Sequence, residues 1–170
     1  MLSNGTQAPD FTLSDQHGRE VSLSSLLRDG PLILYFYPAD FTPGCTAEAC
    51  MLRDLQTDIQ RAGLRVVGIS PQDRDSHSRF QQQHNLNFQL LSDPVKKVTR
   101  LYDLDGPLGF GVRRGTYLID NQGRIEDGVL ADFRISRHEE FIRKAVAMRR
   151  ALQTGSQAAT PPRTSAQDIG

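Results

Sequence analysis

Two apolar runs, Leu32–Tyr37 and Leu64–Ser70, bracket a segment of helical periodicity, and no other feature of the chain constrains the fold as strongly. The first run, introduced by Pro31, has no in-out alternation, which suits a strand covered on both faces. The second is rich in Val and Ile and reads as another buried strand. Between them Met51, Leu52, Leu55, Ile59 and Ala62 recur at helical spacing, with Thr42 at the N-cap, Pro43 at the first helical position and Gly63 as the stop. One long helix is therefore expected from the end of the first strand to the start of the second.

The flanking segments extend this unit into a mixed sheet. Phe11–Leu13 and Glu20–Ser22, separated by the turn Asp15–Gly18, read as short edge strands followed by a helical turn near Ser25–Arg28. Arg74–His84 reads as a polar helix, Phe88–Leu91 as a short strand, and Pro94 opens a helix to about Tyr102. After the glycine-rich loop Asp105–Gly111, the strands Thr116–Ile119 and Arg124–Leu130 flank the hairpin signal Asp120-Asn121-Gln122-Gly123. Ser136 and Glu139 suggest a capping box for a last helix whose buried stripe is Phe141, Ile142, Ala145, Met148 and Leu152. The expected class is α/β: a mixed central sheet, parallel in the middle and antiparallel at one side, flanked by helices, with an N-terminal β extension. Residues 1–152 are expected to form one domain. Residues 153–170, small and polar with Pro161-Pro162, are expected to be a flexible tail that cannot recover its ordering entropy by burial.

Composition narrows the chemistry. Twenty basic and twenty acidic side chains cancel, so no one-signed field points to nucleic acid or an anionic membrane as partner. The N-terminal ten residues lack a basic segment followed by an apolar core, and no stretch reaches bilayer-spanning length, so the expectation is a soluble cytoplasmic protein. Two cysteines, Cys45 and Cys50, are too few for a secreted disulfide framework and fit a catalytic or redox pair in a reducing compartment. Two thiols without further ligands at recognisable spacing do not close a zinc shell, and His17, His77, His84 and His138 are scattered and expected at the surface.

Cys45 falls in the first turn of the expected long helix, where unpaired N–H groups and the helix dipole favour an anion. The thiolate is the nucleophilic form of cysteine. Attack on an electrophilic oxygen or sulfur would give a sulfenic acid or mixed disulfide, with Cys50 as the natural resolver. Five helical residues separate two Cα atoms by roughly 8 to 9 Å, whereas bridged Cα atoms lie within about 7 Å. A Cys45–Cys50 disulfide thus requires the first turns of the helix to unwind. From spacing alone, a structural disulfide or two buried small side chains remain open.

Pro38-x-x-x-Thr42-x-x-Cys45 resembles the active-site signature of the peroxiredoxins, and Thr42-Pro43-Gly44-Cys45-Thr46-x-Glu48-x-Cys50 is similar to the peroxiredoxin Q subfamily, also called bacterioferritin comigratory proteins. Ala8–Phe11, Tyr35–Pro38, Gly68–Ser70, Leu90–Asp93 and Arg114–Asp120 follow in the order of that family, so the resemblance covers about residues 5 to 150. It implies a thioredoxin-like fold and reduction of hydrogen peroxide or organic hydroperoxides, with Cys45 peroxidatic and Cys50 resolving. It further implies that Pro38 shields the thiolate from water, that the Thr42 hydroxyl bonds thiolate and peroxide, and that Arg114 brings positive charge to the sulfur. Gly44 and Cys45 would offer backbone N–H groups to the substrate. Thioredoxin or glutaredoxin would be the reductant; no metal, haem or flavin cofactor is implied, and a monomer is expected, with a dimer open.

Other residues have plainer readings beside the functional ones. Glu48 either orients Arg114 or sits on a solvated helix face. Arg113 and Arg114 alternate faces, and the pattern Arg-x-Thr-Tyr-Leu-Ile-Asp selects Arg114, leaving Arg113 as an exposed charge. Arg143, Lys144, Arg149 and Arg150 are read as compensation of a helix C-terminus. Two other functions compete: a general disulfide oxidoreductase, which typically uses Cys-x-x-Cys, and a non-enzymatic thioredoxin-fold module that senses redox state or carries metal.

Overall fold

The computed structural model describes residues 1–158. Seven strands form one mixed sheet in the order β2-β1-β5-β4-β3-β6-β7. Their ranges are β1 Thr12–Asp15, β2 Glu20–Ser22, β3 Leu32–Phe36, β4 Arg65–Ser70, β5 Gln89–Ser92, β6 Gly115–Ile119 and β7 Ile125–Leu130. β3 pairs in parallel with β4 and antiparallel with β6, and β4 pairs in parallel with β5. The parallel centre, the antiparallel hairpin at one edge and the β1–β2 extension at the other therefore match the order of elements read from the chain.

β3 is enclosed from both sides, as its unbroken apolar pattern requires: Leu32 to Phe36 are 0–1% exposed. Ile33 and Tyr35 belong to one core cluster with Leu52, Ile59, Phe80 and Ile142, whereas Leu32, Leu34 and Phe36 face a second with Tyr102, Tyr117 and Ile119. The helices supplying these faces are α1 Leu23–Leu26, α2 Pro43–Asp54, α3 Gln56–Arg61, α4 Arg74–His84, α5 Lys97–Leu101 and α6 Ile135–Ala158.

Several expectations are corrected in detail. The single helix expected after β3 is divided into α2 and α3 at Leu55. The bonds Leu55 N–H to Met51 O and Ile59 N–H to Leu55 O, 3.0 Å each, carry the chain across the junction, so it bends rather than stops. Ser136 lies inside α6 and makes no capping box, because the helix already starts at Ile135 and the Glu139 carboxylate is turned the other way, accepting from Arg143 at 2.8 and 2.9 Å. Met148 and Leu152 are 41% and 60% exposed, and the buried stripe of α6 is His138, Phe141, Ile142, Ala145 and Val146.

α6 also runs past the boundary expected at 152. It continues through Ala158, so the first residues of the expected tail are helical although 151–156 are exposed. Extending an existing helix adds a backbone bond for each residue ordered, without needing burial. Residues 159–170 of that tail lie outside the described residues. The four basic residues expected to compensate the C-terminus of α6 lie well before its end and are paired: Arg143 with Glu139, Lys144 with Asp127, Arg149 with Glu126 and Arg150 with Asp58.

Candidate active site

Strand register builds the site. Phe36 of β3 lies opposite Gly115 of β6, so the chain leaving β3 through Tyr37 and Pro38 passes the residues entering β6, Arg113 and Arg114. The 38–42 loop then turns into α2. Its Phe41 adopts φ 63°, a left-handed conformation that a bulky residue keeps only when its surroundings hold it. The Asp40 side chain provides one anchor, accepting from the Tyr37 and Ser76 hydroxyls at 2.7 Å and lying 2.8 Å from His77 Nδ1. The Phe41 ring provides another, packing edge-on to Phe80 with centroids 5.2 Å apart.

α2 consequently begins under Arg114. Thr42 occupies the N-cap position, but its hydroxyl donates to the Ala39 carbonyl at 3.1 Å instead of capping the helix or bonding the sulfur. The first intrahelical bond runs from Thr46 N–H to Thr42 O at 2.9 Å. The N–H groups of Gly44 and Cys45, just before it, are thus left without intrahelical acceptors and form the positive end of the helix dipole. A Cβ on Gly44 would stand 3.1 Å from Arg114 Nη2, so a side chain here would press on the guanidinium.

Arg114 uses each face of its fork. Nη2 donates to Cys45 Sγ at 3.2 Å, Nη1 bonds and ion-pairs with Glu48 Oε2, and Nε donates to the Asp132 carbonyl at 3.3 Å. Arg114 is 5% exposed, Glu48 0% and Cys45 1%, so the guanidinium acts on both partners away from bulk water. Burial pushes the Glu48 carboxyl up to about 7, against the opposing pull of Arg114. Arg113, on the alternate face, pairs with Asp132 at 2.8 Å and is partly exposed. Cys45 and Cys50 are both free thiols on the continuous α2, Cys45 buried and Cys50 half-buried.

A cleft of about 900 Å³ opens beside Gly44 and Arg114, the neighbours of Cys45, which does not itself line it. Pro38, Thr42, Gly44 and Arg114 line it, together with the apolar Phe110 and Phe133. The structure thus gathers Pro38, Thr42, Gly44, Cys45 and Arg114 at one place and keeps Cys50 on the same helix.

Sequence reasoning placed Glu48 between two roles and missed His138, Asp132 and the Asp40–His77 pair. His77 and His138 are buried, 0% and 1% exposed, contrary to the expectation of surface histidines. The physical reason is that their ring nitrogens find partners inside: His138 Nε2 lies 3.0 Å from Ala131 O and Nδ1 2.9 Å from Thr116 Oγ1. A signal for His138 was present, since it stands three, four and seven residues before Phe141, Ile142 and Ala145 on the buried stripe. No cluster of three or more His, Cys, Asp or Glu side chains suited to a metal ion occurs among the described residues, and no helix among them is long and apolar enough to cross a membrane.

Residues 4–127 match the model of the AhpC/TSA family. The chain is 45% identical over 127 residues to a chloroplastic peroxiredoxin Q of Oryza sativa subsp. japonica, covering 74% of this chain and 58% of that protein. It therefore spans a little over half the length of that curated relative. Among solved structures, peroxidoxin BcpB of Mycobacterium tuberculosis superposes with a TM-score of 0.81 at 36% identity, covering 89% of this chain and 99% of that one. A bacterioferritin comigratory protein of Xanthomonas campestris, described for its alkyl peroxide reduction activity, superposes with a TM-score of 0.76 at 25% identity, covering 89% of this chain and 98% of that one.

Proposed function

This chain belongs to the AhpC/TSA family and has the thioredoxin-like fold of its peroxiredoxin neighbours, and on that premise we propose that it is a thiol-dependent peroxidase with Cys45 as the attacking residue. The observation that carries this reading is the Arg114 Nη2 to Cys45 Sγ contact of 3.2 Å at the uncapped N-terminus of α2. A guanidinium and two open amides converge where a thiolate and a negatively charged peroxide oxygen would need compensation.

In the first step the Cys45 thiolate attacks the terminal oxygen of a hydroperoxide. An S–O bond forms as the O–O bond breaks, the electron pair leaves on the alkoxide or hydroxide, and a proton converts that product to alcohol or water. The electropositive end of α2 and Arg114 stabilise the charge moving between the oxygens. The sulfenic acid then condenses with the Cys50 thiol, releasing water and forming the Cys45–Cys50 disulfide. Both cysteines lie on α2, about 7.5 Å apart along its axis, so this second step requires the start of α2 to unwind. An external dithiol such as thioredoxin, or glutaredoxin, would restore both thiols. Hydrogen peroxide and organic hydroperoxides are the proposed substrates; the alkyl peroxide activity of the Xanthomonas campestris relative supports the second class.

Stopped-flow peroxide consumption with a thioredoxin recycling system tests the proposal. Cys45→Ser should abolish turnover, and Cys50→Ser should form one sulfenate per chain at the native first-step rate without recycling. Native-rate consumption by Cys45→Ser would overturn the assignment. Amide exchange of residues 43–52 should rise in the disulfide form; equal protection of reduced and oxidised protein would exclude the unwinding step.

A further inference from the structure

Glu48 is paired on one side only. Its Oε2 takes Arg114 Nη1, but Oε1, fully buried, has no hydrogen-bond partner. The atom facing it is His138 Nδ1, 3.4 Å away. The other ring nitrogen, Nε2, lies 3.0 Å from the Ala131 carbonyl, which accepts and cannot donate, so Nε2 carries the ring proton. Nδ1 is then the lone-pair side of a neutral imidazole; it accepts from the Thr116 hydroxyl at 2.9 Å and lies 3.4 Å from Glu48 Oε1 with no hydrogen bond between them. Burial together with the charge of Arg114 holds His138 below the usual imidazole range, which keeps that lone pair in place at neutral pH.

We propose that His138 is a positioning residue for the peroxidase reaction: its Nδ1 lone pair favours the protonated form of Glu48, and a neutral Glu48 leaves the charge of Arg114 free to act on the Cys45 sulfur. This rests on the peroxidase reading given above. A protonated Oε1 can donate to Nδ1, whereas a carboxylate at the same place meets a lone pair. When Glu48 ionises, its negative charge competes with the thiolate for the same guanidinium, because Nη1 and Nη2 are attached to one carbon. Cys45 reactivity should therefore carry an inflection at the pH where Glu48 loses its proton, in addition to the thiol's own.

The other charged and titratable groups around this pair do not replace His138. Arg114 and Cys45 stand on the far side of Glu48. Tyr35 on β3 is buried, and burial keeps its phenol neutral far above pH 7. Asp132, in the segment before α6, is occupied by Arg113 and by the Arg114 backbone N–H. Asp40 is committed to Tyr37, Ser76 and His77, and Arg137 on α6 acts on His138 by its charge alone.

The test is the rate of iodoacetamide alkylation at Cys45 of the reduced full-length protein between pH 5 and pH 9, with the site resolved by mass spectrometry. His138→Gln can turn an amide N–H toward Oε1 and so favour the carboxylate. The inflection should move down by about one pH unit, equivalent to about a tenfold slower alkylation inside the shifted window. In Glu48→Gln the inflection should vanish, and adding His138→Gln should then change nothing further. Thr116→Val, which removes only a hydroxyl and releases Nδ1 wholly to Glu48, should move the inflection up; this variant decides the matter if His138→Gln does not fold. A loss in His138→Gln by the same factor at every pH, an effect that persists in the Glu48→Gln background, or a downward shift in Thr116→Val would each overturn the proposal. Alkylation needs no peroxide, so a protein that shows these shifts but consumes no peroxide would refute the peroxidase reading and leave the coupling standing.

Discussion

His77 and His138 are both sealed inside the protein, yet the clusters around them differ in completeness. Around His77 every polar group is matched: Asp40 takes two hydroxyls and faces the imidazole, whose Nε2 lies 3.2 Å from the Leu91 carbonyl. Around His138 the partner carboxyl keeps one bare oxygen. The first cluster is a fastener that ties the 38–42 loop to α4. The second leaves a carboxyl oxygen bare on the side chain that shares Arg114 with the Cys45 sulfur. A satisfied buried network rigidifies, whereas an unsatisfied one remains able to change its charge.

Breaking the complete cluster should have the largest effect. Asp40→Ala leaves the Tyr37 and Ser76 hydroxyls and the His77 ring without their acceptor, and should cost about 3–5 kcal/mol, read as a lower denaturation midpoint at unchanged m value. In the native protein the Asp40 carboxyl sits below its ordinary range; burial opposes this, and the bonds from His77, Tyr37 and Ser76 outweigh it. A depressed carboxyl contributes stability above its unfolded pKa, near 4, that is lost as pH falls through the folded value. Asp40→Asn should therefore flatten the acid limb of a stability profile below about pH 4.

Arg114→Gln comes next and separates the clusters by activity. Removing the charge beside Sγ should slow peroxide reduction about 10²- to 10³-fold, whereas Asp40→Asn should leave the chemical step closer to native as long as the chain is folded. Equal losses from the two variants, measured by stopped flow at a temperature where both are folded, would erase the distinction.

Glu48→Gln should have a smaller effect, of opposite sign in pH to that of Asp40. The Glu48 carboxyl is raised to about 7, so between about 4.5 and 7 the folded protein holds a proton that the unfolded chain has released. Stability then falls as pH rises through that window, at most about 1.4 kcal/mol per pH unit. Replacement by Gln removes this slope, and a slope unchanged in the variant would show that another group titrates there. The smallest change is expected at a histidine outside both clusters. His17 is exposed, and His17→Asn should alter stability by no more than about 0.5 kcal/mol, with no shift in the alkylation profile.

Local pattern accounts for much of this molecule. The all-apolar β3 is buried on both faces because its composition leaves no polar side for water, and Cys45 lies in the first turn of α2 because Thr42-Pro43 starts a helix directly after the loop. The alternation of Arg113 and Arg114 allowed only one of them to face the sulfur, the pattern Arg-x-Thr-Tyr-Leu-Ile-Asp selected Arg114, and the structure puts Arg114 there and the Arg113 side chain on the Asp132 carboxylate. The Thr42 hydroxyl was read as a helix N-cap and, by resemblance, as a partner of the sulfur, and it makes neither bond. Its donation to Ala39 depends on the path of the loop, which the left-handed Phe41 and the anchored Asp40 determine.

The amino-acid order by itself determined the strand and helix periods, the placement of Cys45 and Cys50 five residues apart on one helix and, for the proposed bridge between them, the need for α2 to unwind, because these follow from near-neighbour spacing. Only the tertiary structure decided that Glu48 would be buried, that His138 would face its free oxygen from a helix ninety residues further along the chain, and that one guanidinium would serve both sulfur and carboxyl. Those outcomes depend on desolvation and on the register of β3 against β6, which bring together groups that the one-dimensional pattern keeps far apart.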